Sequence, residues 1–340
     1  MTTCSPDPLQ LARLRALPKA EVHVHLEGSM DARVLGQLAV QAGESLPRAP
    51  EALFQFAGLQ DFLHFLDWAC GLVRTRDQLA LIAYAFAQRM AASGAGYADV
   101  IVNPTHWSGW RDRPAAMVAG LDDGFKAAEQ DGLPRVGLCI SLLRTQTAAQ
   151  AAELVDILLA LDHPRVVALS VDGNEALAGR TGPRFAEVFR KAGVHGLRRT
   201  VHAGESSGPE GVRDAIELLG ADRIDHGVRA IEDPALVAEL AVRGIALGVA
   251  PGSNLALGVY PTIDAHPIER LRRAGVRVSV NTDDPALFDT SLEQEYARCV
   301  QAFGWDAETL RVVAATSIDA SFAPTDHKQQ LQAALANWNG

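Results

Sequence analysis

Two histidines stand two residues apart in Val22-His23-Val24-His25-Leu26-Glu27, an apolar run that begins soon after Pro18. In an extended strand, side chains two apart share a face, so His23 and His25 would aim at one point. Paired neutral imidazoles on one strand are a common beginning for a zinc site. Two ligands do not complete one, and two hydrogen-bonded strand histidines would look the same. Further candidates follow: His202 in Val201-His202-Ala203-Gly204-Glu205, His226 in Arg223-Ile224-Asp225-His226-Gly227, and Asp283-Asp284 before Pro285. Three imidazoles and a carboxylate, with one position left for water, make a catalytic zinc site. Glu205 lies three residues past His202 on a turn opened by Gly204, a placement suited to proton transfer. Its plainer reading is a helix-start glutamate favoured by the macrodipole. Asp283-Asp284 has a plainer reading too, as an exposed acidic turn. Consecutive strand residues face opposite sides, so both carboxylates reach one pocket only if the chain bends there.

The elements that would position these groups alternate along the chain. Short apolar, valine-rich stretches at residues 21–26, 97–104, 135–143, 166–171, 199–202, 223–226, 245–250 and 276–281 read as strands of a parallel sheet covered on both faces. Helical patterns fall between them, over 31–42, 76–93, 113–131, 147–161, 183–192, 233–242, 265–273, 292–303 and 307–319, with another opened by Pro209 and closed by Gly220. Eight such units predict an α/β fold, a single (β/α)8 TIM barrel spanning residues 1–340 with a helical insertion after the first strand. A doubly wound open sheet is the rival, but neither G-x-G-x-x-G after the first strand nor G-x-x-x-x-G-K-[ST] is present. The barrel carries a sharp consequence: active-site residues gather at the C-terminal ends of the strands. His23, His25, His202, His226, Asp283 and Asp284 all occupy such ends. The aromatic stretch 54–73, with Phe54, Phe56, Phe62, Phe65 and Trp68, reads either as core or as a hydrophobic lid. His64, His106, His163, His195, His266 and His327 fall on expected helices or loops and read as surface or structural histidines.

Composition bounds the class. The chain has 340 residues, 48% hydrophobic and 21% charged, with 31 Lys plus Arg against 41 Asp plus Glu, a net charge of −10. That balance argues against nucleic acid or an anionic membrane as the main partner. Cys4, Cys70, Cys139 and Cys299 form no C-x-x-C pair and read as reduced thiols. The N-terminus lacks the continuous apolar core of a signal peptide, and no run is long enough to span a membrane. A cytoplasmic enzyme acting on a small molecule is the expectation, with the oligomeric state left open.

His23–Gly28 (His-Val-His-Leu-Glu-Gly), Val201–Glu205, Arg223–Gly227 and the Ser279–Pro285 segment (Ser-Val-Asn-Thr-Asp-Asp-Pro) resemble the adenosine deaminase family of zinc aminohydrolases, in the family's order and across nearly the whole chain. The resemblance implies one Zn²⁺ per chain held by His23, His25, His202 and Asp283. It further implies that Glu205 works at N1 of a purine, that His226 steers the attacking water, and that Asp284 accepts from or shares a proton with N7. The loop Asp172-Gly173-Asn174-Glu175 is similar to the family's Ala-Gly-Asp-Glu turn, which places the Gly173 N–H at N3. Water activated by the metal adds to C6, and ammonia leaves. An unshifted glutamic acid (pKa about 4.3) is protonated in only about one molecule in 500 at pH 7. Glu205 therefore either has a pKa raised by burial or takes its proton from the activated water. The second route asks less of the fold and is the one expected.

Three positions depart from the family's pattern: Glu27 stands where adenosine deaminases usually carry aspartate near the ribose 5′ end, Ala250 precedes Pro251 in place of cysteine, and Asn174 replaces the loop aspartate. None is a metal ligand, so they bear on the substrate. The combination resembles bacterial relatives acting on free adenine or on 5′-modified adenosines such as 6-amino-6-deoxyfutalosine. A 5′-modified adenosine is expected as the preferred substrate, with free adenine as the alternative, and Arg144 as a residue that could meet an acidic 5′ group. A binuclear amidohydrolase would want a carboxylated lysine after the fourth strand, where Val171-Asp172-Gly173 stands. The H-x-E of His25–Glu27 imitates cytidine-type deaminases, but P-C-x-x-C is missing. A catalytically dead zinc protein would be expected to lose Glu205 or His226, and both are present.

Overall fold

Strands form where the apolar runs predict them. The computed structural model describes residues 7–57 and 59–340. Its strands are β1 Lys19–His25, β2 Ala95–Val102, β3 Arg135–Leu143, β4 Val166–Asp172, β5 Arg198–Ala203, β6 Arg223–His226, β7 Ala246–Val249 and β8 Arg277–Val280. All pair in parallel in the order β1 to β8. A parallel bridge between Val24 and Asp283 joins the end of β8 back to β1. The open doubly wound sheet is thereby excluded, and the chain is a (β/α)8 barrel.

Helices occupy the crossovers with the expected chemistry at their ends. Asp31 caps Ala32–Ala42 by accepting from Val34 N at 2.8 Å. Thr75 with Gln78 and Thr147 with Gln150 form reciprocal capping boxes on Arg76–Ala92 and Ala148–Leu161. Gly43, at φ +70°, ends the first of these helices in the left-handed conformation that a Cβ disfavours. The insertion after β1 comprises Ala32–Ala42, Leu59–Gly71 and Arg76–Ala92.

The differences from expectation have physical causes. β1 starts at Lys19, two residues early, because this buried lysine donates to the carbonyls of Leu14 (2.9 Å), Leu17 (3.2 Å) and Gly94 (3.2 Å). A charged residue at a strand start gives no hydropathy signal. The helices Pro8–Ala16, Pro251–Ala256 and Thr325–Ala336 were not anticipated. The last of them buries only Leu335, so it lacks an apolar stripe. Residues 265–273 divide into a 3₁₀ turn, Ile263–Ala265, and the helix Ile268–Arg273.

The main apolar core lies between barrel and helices, and a smaller cluster of Ile101, Cys139 and Ala168 packs against Phe322. Arg223, at the start of β6, lies 4.3 Å over the Phe322 ring and pairs with Asp99 at 2.7 Å. Cys70, Cys139 and Cys299 are buried free thiols, while Cys4 and Gly58 lie outside the described residues. Among the described residues no helix is long and apolar enough to cross a membrane.

Candidate active site

Strand ends bring the polar groups together. His23 and His25 stand on β1, His202 on β5, His226 at the end of β6, and Asp283 just beyond β8. His226 takes φ +64° and Asp283 φ +66°. Left-handed backbone at a non-glycine residue is uncommon and tends to cluster at functional sites. At Asp283 it supplies the bend that lets consecutive aspartates, Asp283 and Asp284, line one cavity.

The polar atoms of the cluster are closely spaced. Asp283 Oδ1 lies 3.2 Å from His23 Nε2 and 3.3 Å from His25 Nε2. His25 Nε2 lies 3.0 Å from His202 Nε2. Ligand atoms about 2.0–2.1 Å from zinc stand roughly 3.3 Å apart at tetrahedral corners. His226 keeps further off, its Nε2 3.9 Å from the other oxygen, Oδ2. That second oxygen is already engaged, accepting from Ser253 Oγ at 2.6 Å. His23, His202, His226 and Asp283 also form a group with one ligand atom each, all within 4.8 Å of one another.

The donors also fit a cation by their hydrogen bonding. His23 donates from Nδ1 to the Gly248 carbonyl at 2.7 Å, so Nε2 carries a lone pair, and that buried atom has no hydrogen-bond partner. His202 Nδ1 faces Asp225 Oδ2 at 3.6 Å, again leaving Nε2 to the cluster. Thr200 donates to the same Asp225 oxygen at 2.6 Å. Burial lowers the pKa of His23, but Asp283 and Asp225 outweigh it and raise it to about 9. Burial, then the neighbouring imidazoles, hold His202 and His226 well below the usual histidine range. Burial would raise Asp283, yet His23, His226 and His25 keep it far below the carboxylate range. The pocket keeps Asp283 anionic and His202 and His226 neutral, and the raised pKa of His23 shows that it favours a positive charge beside that carboxylate.

Glu205 sits across the cavity, its Oε1 3.5 Å from His226 Nε2 and 17% of its side chain exposed. Burial first, then Asp283 and Glu175, raise its pKa to about 8. Burial thus favours the protonated form of Glu205, the condition for the first of the two proton routes. A cation at the cluster would pull that value down. The Glu205 turn is held by Glu175, whose carboxylate accepts from the N–H groups of Gly204 (3.0 Å), Glu205 (2.8 Å), Ser206 (3.2 Å) and Ser207 (3.4 Å).

Asp284 is pushed well above the carboxylate range by burial and by Asp283, Glu27 and Glu205. Gly28 packs directly on its carboxyl, where any Cβ would collide. Glu27 Oε1 accepts from Trp107 Nε1 and from Asn103 N, both at 2.7 Å, and its buried Oε2 has no partner. Gly173, at φ +98°, lines the cavity, and its carbonyl accepts from Arg144 Nε at 3.0 Å. Arg144 also donates to Thr181 Oγ1 (2.6 Å) and to the His202 carbonyl, so its guanidinium is committed to the protein.

The cavity measures about 930 Å³. Phe54, Phe56 and Phe62 line it, whereas Phe65 is buried in the core, so the aromatic stretch is part core and part cavity wall. Phe62 stacks on Phe288 with ring centroids 5.8 Å apart. Sequence reasoning missed Ser253, Asn254, Glu175, Asp225 and Trp107. Asp225 and Glu175 lie inside the Arg223–Gly227 motif and the Asp172-Gly173-Asn174-Glu175 loop, next to residues with assigned roles. Ser253 and Asn254 ride on an unanticipated six-residue helix, and Trp107 on a loop with no pattern of its own.

The adenosine deaminase family model matches residues 18–338. The adenine deaminase of Rhodospirillum rubrum is 35% identical over 333 residues, covering 96% of this chain and 98% of that protein. The aminodeoxyfutalosine deaminase of Streptomyces coelicolor is 35% identical over 327 residues, covering 94% of this chain and 84% of that protein. Among solved structures, the adenine deaminase of Arthrobacter aurescens superposes with a TM-score of 0.88 at 29% identity, covering 94% of this chain and 98% of that one. An amidohydrolase of Burkholderia ambifaria with bound Zn superposes with a TM-score of 0.89 at 29% identity, covering 98% and 94%.

Proposed function

The chain belongs to the adenosine deaminase family, and from that premise we propose that it hydrolyses the 6-amino group of an adenine-type nucleoside, releasing ammonia. It is an aminohydrolase acting on C–N bonds, and its small-molecule partner is a purine. The observation that carries the reading is the meeting of Glu205, His226 and Asp283 beside the imidazoles of β1 and β5. We assign one Zn²⁺ to His23, His25, His202 and Asp283 Oδ1, because those four share the short contacts while His226 faces Asp283 Oδ2. A zinc ion there would activate water as a Lewis acid.

The chain's own groups then divide the work. Glu205 holds a proton and delivers it to ring N1 as water adds at C6. Asp284, kept protonated, donates to N7, and the Gly173 N–H is assigned to N3. His226 Nε2, beside Glu205, orients the water on its way to C6. The Glu205 carboxylate then takes the proton of the attacking water and passes it to the exocyclic amine. The carbon–nitrogen bond at C6 breaks, ammonia departs, and the C6 hydroxyl proton returns to Glu205 as the carbonyl forms.

For the substrate, we favour an adenosine with a neutral or apolar 5′ substituent. The cavity is near the upper end of ligand sites, which run roughly 300–1,000 Å³, and its outer wall includes Phe54, Phe56, Phe62, Leu177 and Val259. Glu27 lies at the wall with one free oxygen. Free adenine is the second reading, favoured by the adenine deaminases among the relatives. Action in the cytoplasm fits the buried, unpaired cysteines.

The test is a panel of adenine, adenosine and 5′-modified adenosines, followed by loss of absorbance near the adenine maximum. Metal analysis of the same preparation should find one zinc per chain. Two tightly bound ions, or none after reconstitution, would overturn the ligand assignment. Free adenine outperforming every nucleoside would move the substrate to the second reading.

A further inference from the structure

His226 has two ring nitrogens, and which one bears hydrogen decides whether it offers the site a donor or a lone pair. Its Nδ1 lies 3.3 Å from Asn254 Nδ2. Asn254 Oδ1 lies 3.0 Å from His266 Nε2. His266 Nδ1 lies 3.3 Å from the backbone nitrogen of Ile268. Asn254 and His226 are fully buried or nearly so, and His266 is 2% exposed.

A backbone N–H can only donate, which orients the whole series. Ile268 N–H donates to His266 Nδ1. His266 must then carry its proton on Nε2 and donate to Asn254 Oδ1. The Asn254 amide is thereby turned so that its NH₂ faces His226, whose Nδ1 accepts. Reversing the Asn254 amide would set His266 Nδ1–H against the Ile268 N–H, donor against donor. His226 is left with its hydrogen on Nε2, the atom that faces Glu205 and Asp283.

We propose that Asn254 and His266 are positioning residues that lock His226 as the Nε2–H tautomer, so that it gives the site a hydrogen-bond donor and not a metal ligand. This rests on the deaminase reading for its catalytic consequence, but the tautomer itself stands on hydrogen bonds alone. Two further contacts hold the relay in register. Tyr260 packs edge-on against the His266 ring at 5.1 Å, and Ser253, the residue before Asn254, donates to Asp283. The helix Pro251–Ala256 thus fixes the cluster's carboxylate with one side chain and its histidine with the next. Burial and the charge of Arg270 lower the pKa of His266 to about 3, so it stays singly protonated across the working range.

The test is two-bond ¹H–¹⁵N correlation of the whole protein labelled with ¹⁵N-histidine, with His226→Asn used to assign the His226 signals. The wild type should show His226 protonated on Nε2 only. Asn254→Asp places a carboxylate at Nδ1, which should draw the proton there and reverse the pattern. Its kcat should fall by up to about 10⁴-fold, the scale seen where a catalytic histidine is held in the wrong tautomer, with KM and zinc content unchanged. His266→Phe should lower kcat less, about 10-fold or more, and His266→Gln, whose amide can still donate to Asn254, should restore most of it. A wild-type His226 protonated on Nδ1, or an Asn254→Asp protein that keeps the Nε2–H pattern, overturns the proposal. A wild type with the Nε2–H pattern but no deaminase activity leaves the tautomer standing and removes the proposed reaction instead.

Discussion

Asp283 meets His25 twice: its backbone carbonyl accepts from His25 N at 2.7 Å, and its side-chain Oδ1 lies 3.3 Å from His25 Nε2. The first contact, with Asp283 N donating to the His23 carbonyl at 3.2 Å, joins β8 to β1 and closes the barrel. The second belongs to the cluster of side chains to which the zinc ion is assigned. One residue therefore couples the closure of the fold to the assembly of the site.

Removing the metal should lower stability without unravelling the barrel, because the bridge uses backbone atoms. A ligand that binds only the folded state contributes RT ln(1 + [L]/Kd), about 4 kcal/mol at 1,000-fold excess over Kd. Chelation should lower Tm by several degrees while the far-ultraviolet circular dichroism stays native. Asp283→Ala should mimic the chelated protein and not respond to added zinc. An unchanged Tm on chelation would separate the metal from the closure.

Glu205→Gln should retain zinc and lose about 10²–10⁴-fold in kcat, since an amide can hydrogen-bond to N1 but cannot deliver a proton. Steady-state kinetics with parallel metal analysis checks this. Near wild-type turnover would assign the proton to another group.

Gly28→Ala should reduce activity sharply at full zinc occupancy. The new methyl group would occupy the space of the Asp284 carboxyl, so the aspartate must turn away from the cavity. We expect KM to rise and kcat to fall, with metal content unchanged. Normal kinetics in this variant would show that Asp284 does not touch the purine.

A 5′-phosphate should be a poor substituent. Among the described residues Arg144 is the sole arginine or lysine lining the cavity, and its donors are committed to Gly173, Thr181 and His202. An anion would also meet Asp67 and Asp289 at the same cavity. Adenosine 5′-monophosphate should show a kcat/KM at least 10-fold below adenosine, and 5′-deoxy-5′-methylthioadenosine should exceed both. Efficient turnover of the monophosphate would mean that Arg144 is released on binding.

Glu269 gives a pH signature away from the site. Burial would raise its pKa, but hydrogen bonds from Arg272, Trp305 and Arg273 outweigh that and lower it to about 2. Because the folded value lies below the unfolded 4.5, the stabilisation is full above pH 4.5 and is lost as pH falls from there toward 2. Glu269→Gln should be less stable than wild type by up to about 3 kcal/mol at pH 7, with the gap closing below pH 4.5. Denaturant titrations at pH 7, 5 and 4 measure it. A gap independent of pH would point to lost packing.

The sequence by itself determined the alternation of strands and helices and the place of the chemistry in it. Short apolar runs alternating with helical patterns suit a covered parallel sheet, and His23, His202, His226 and Asp283 lie within three residues of the C-terminal end of one. What it could not determine was how each group is held. The protonation of Glu205 depends on burial by elements far away in sequence, and the orientation of His226 depends on Asn254 and His266. His266 read as an ordinary histidine of the helix expected over 265–273, because the Asn254 partner that gives it a role lies 12 residues away on a segment with no periodic signal. Arg144, which the sequence offered to an acidic substrate, is taken by carbonyls 29 and 58 residues further on. Strand ends follow from local patterns, which a chain carries in its own order. Hydrogen-bond partners and desolvation are set by distance in space, and only the closed barrel decides those.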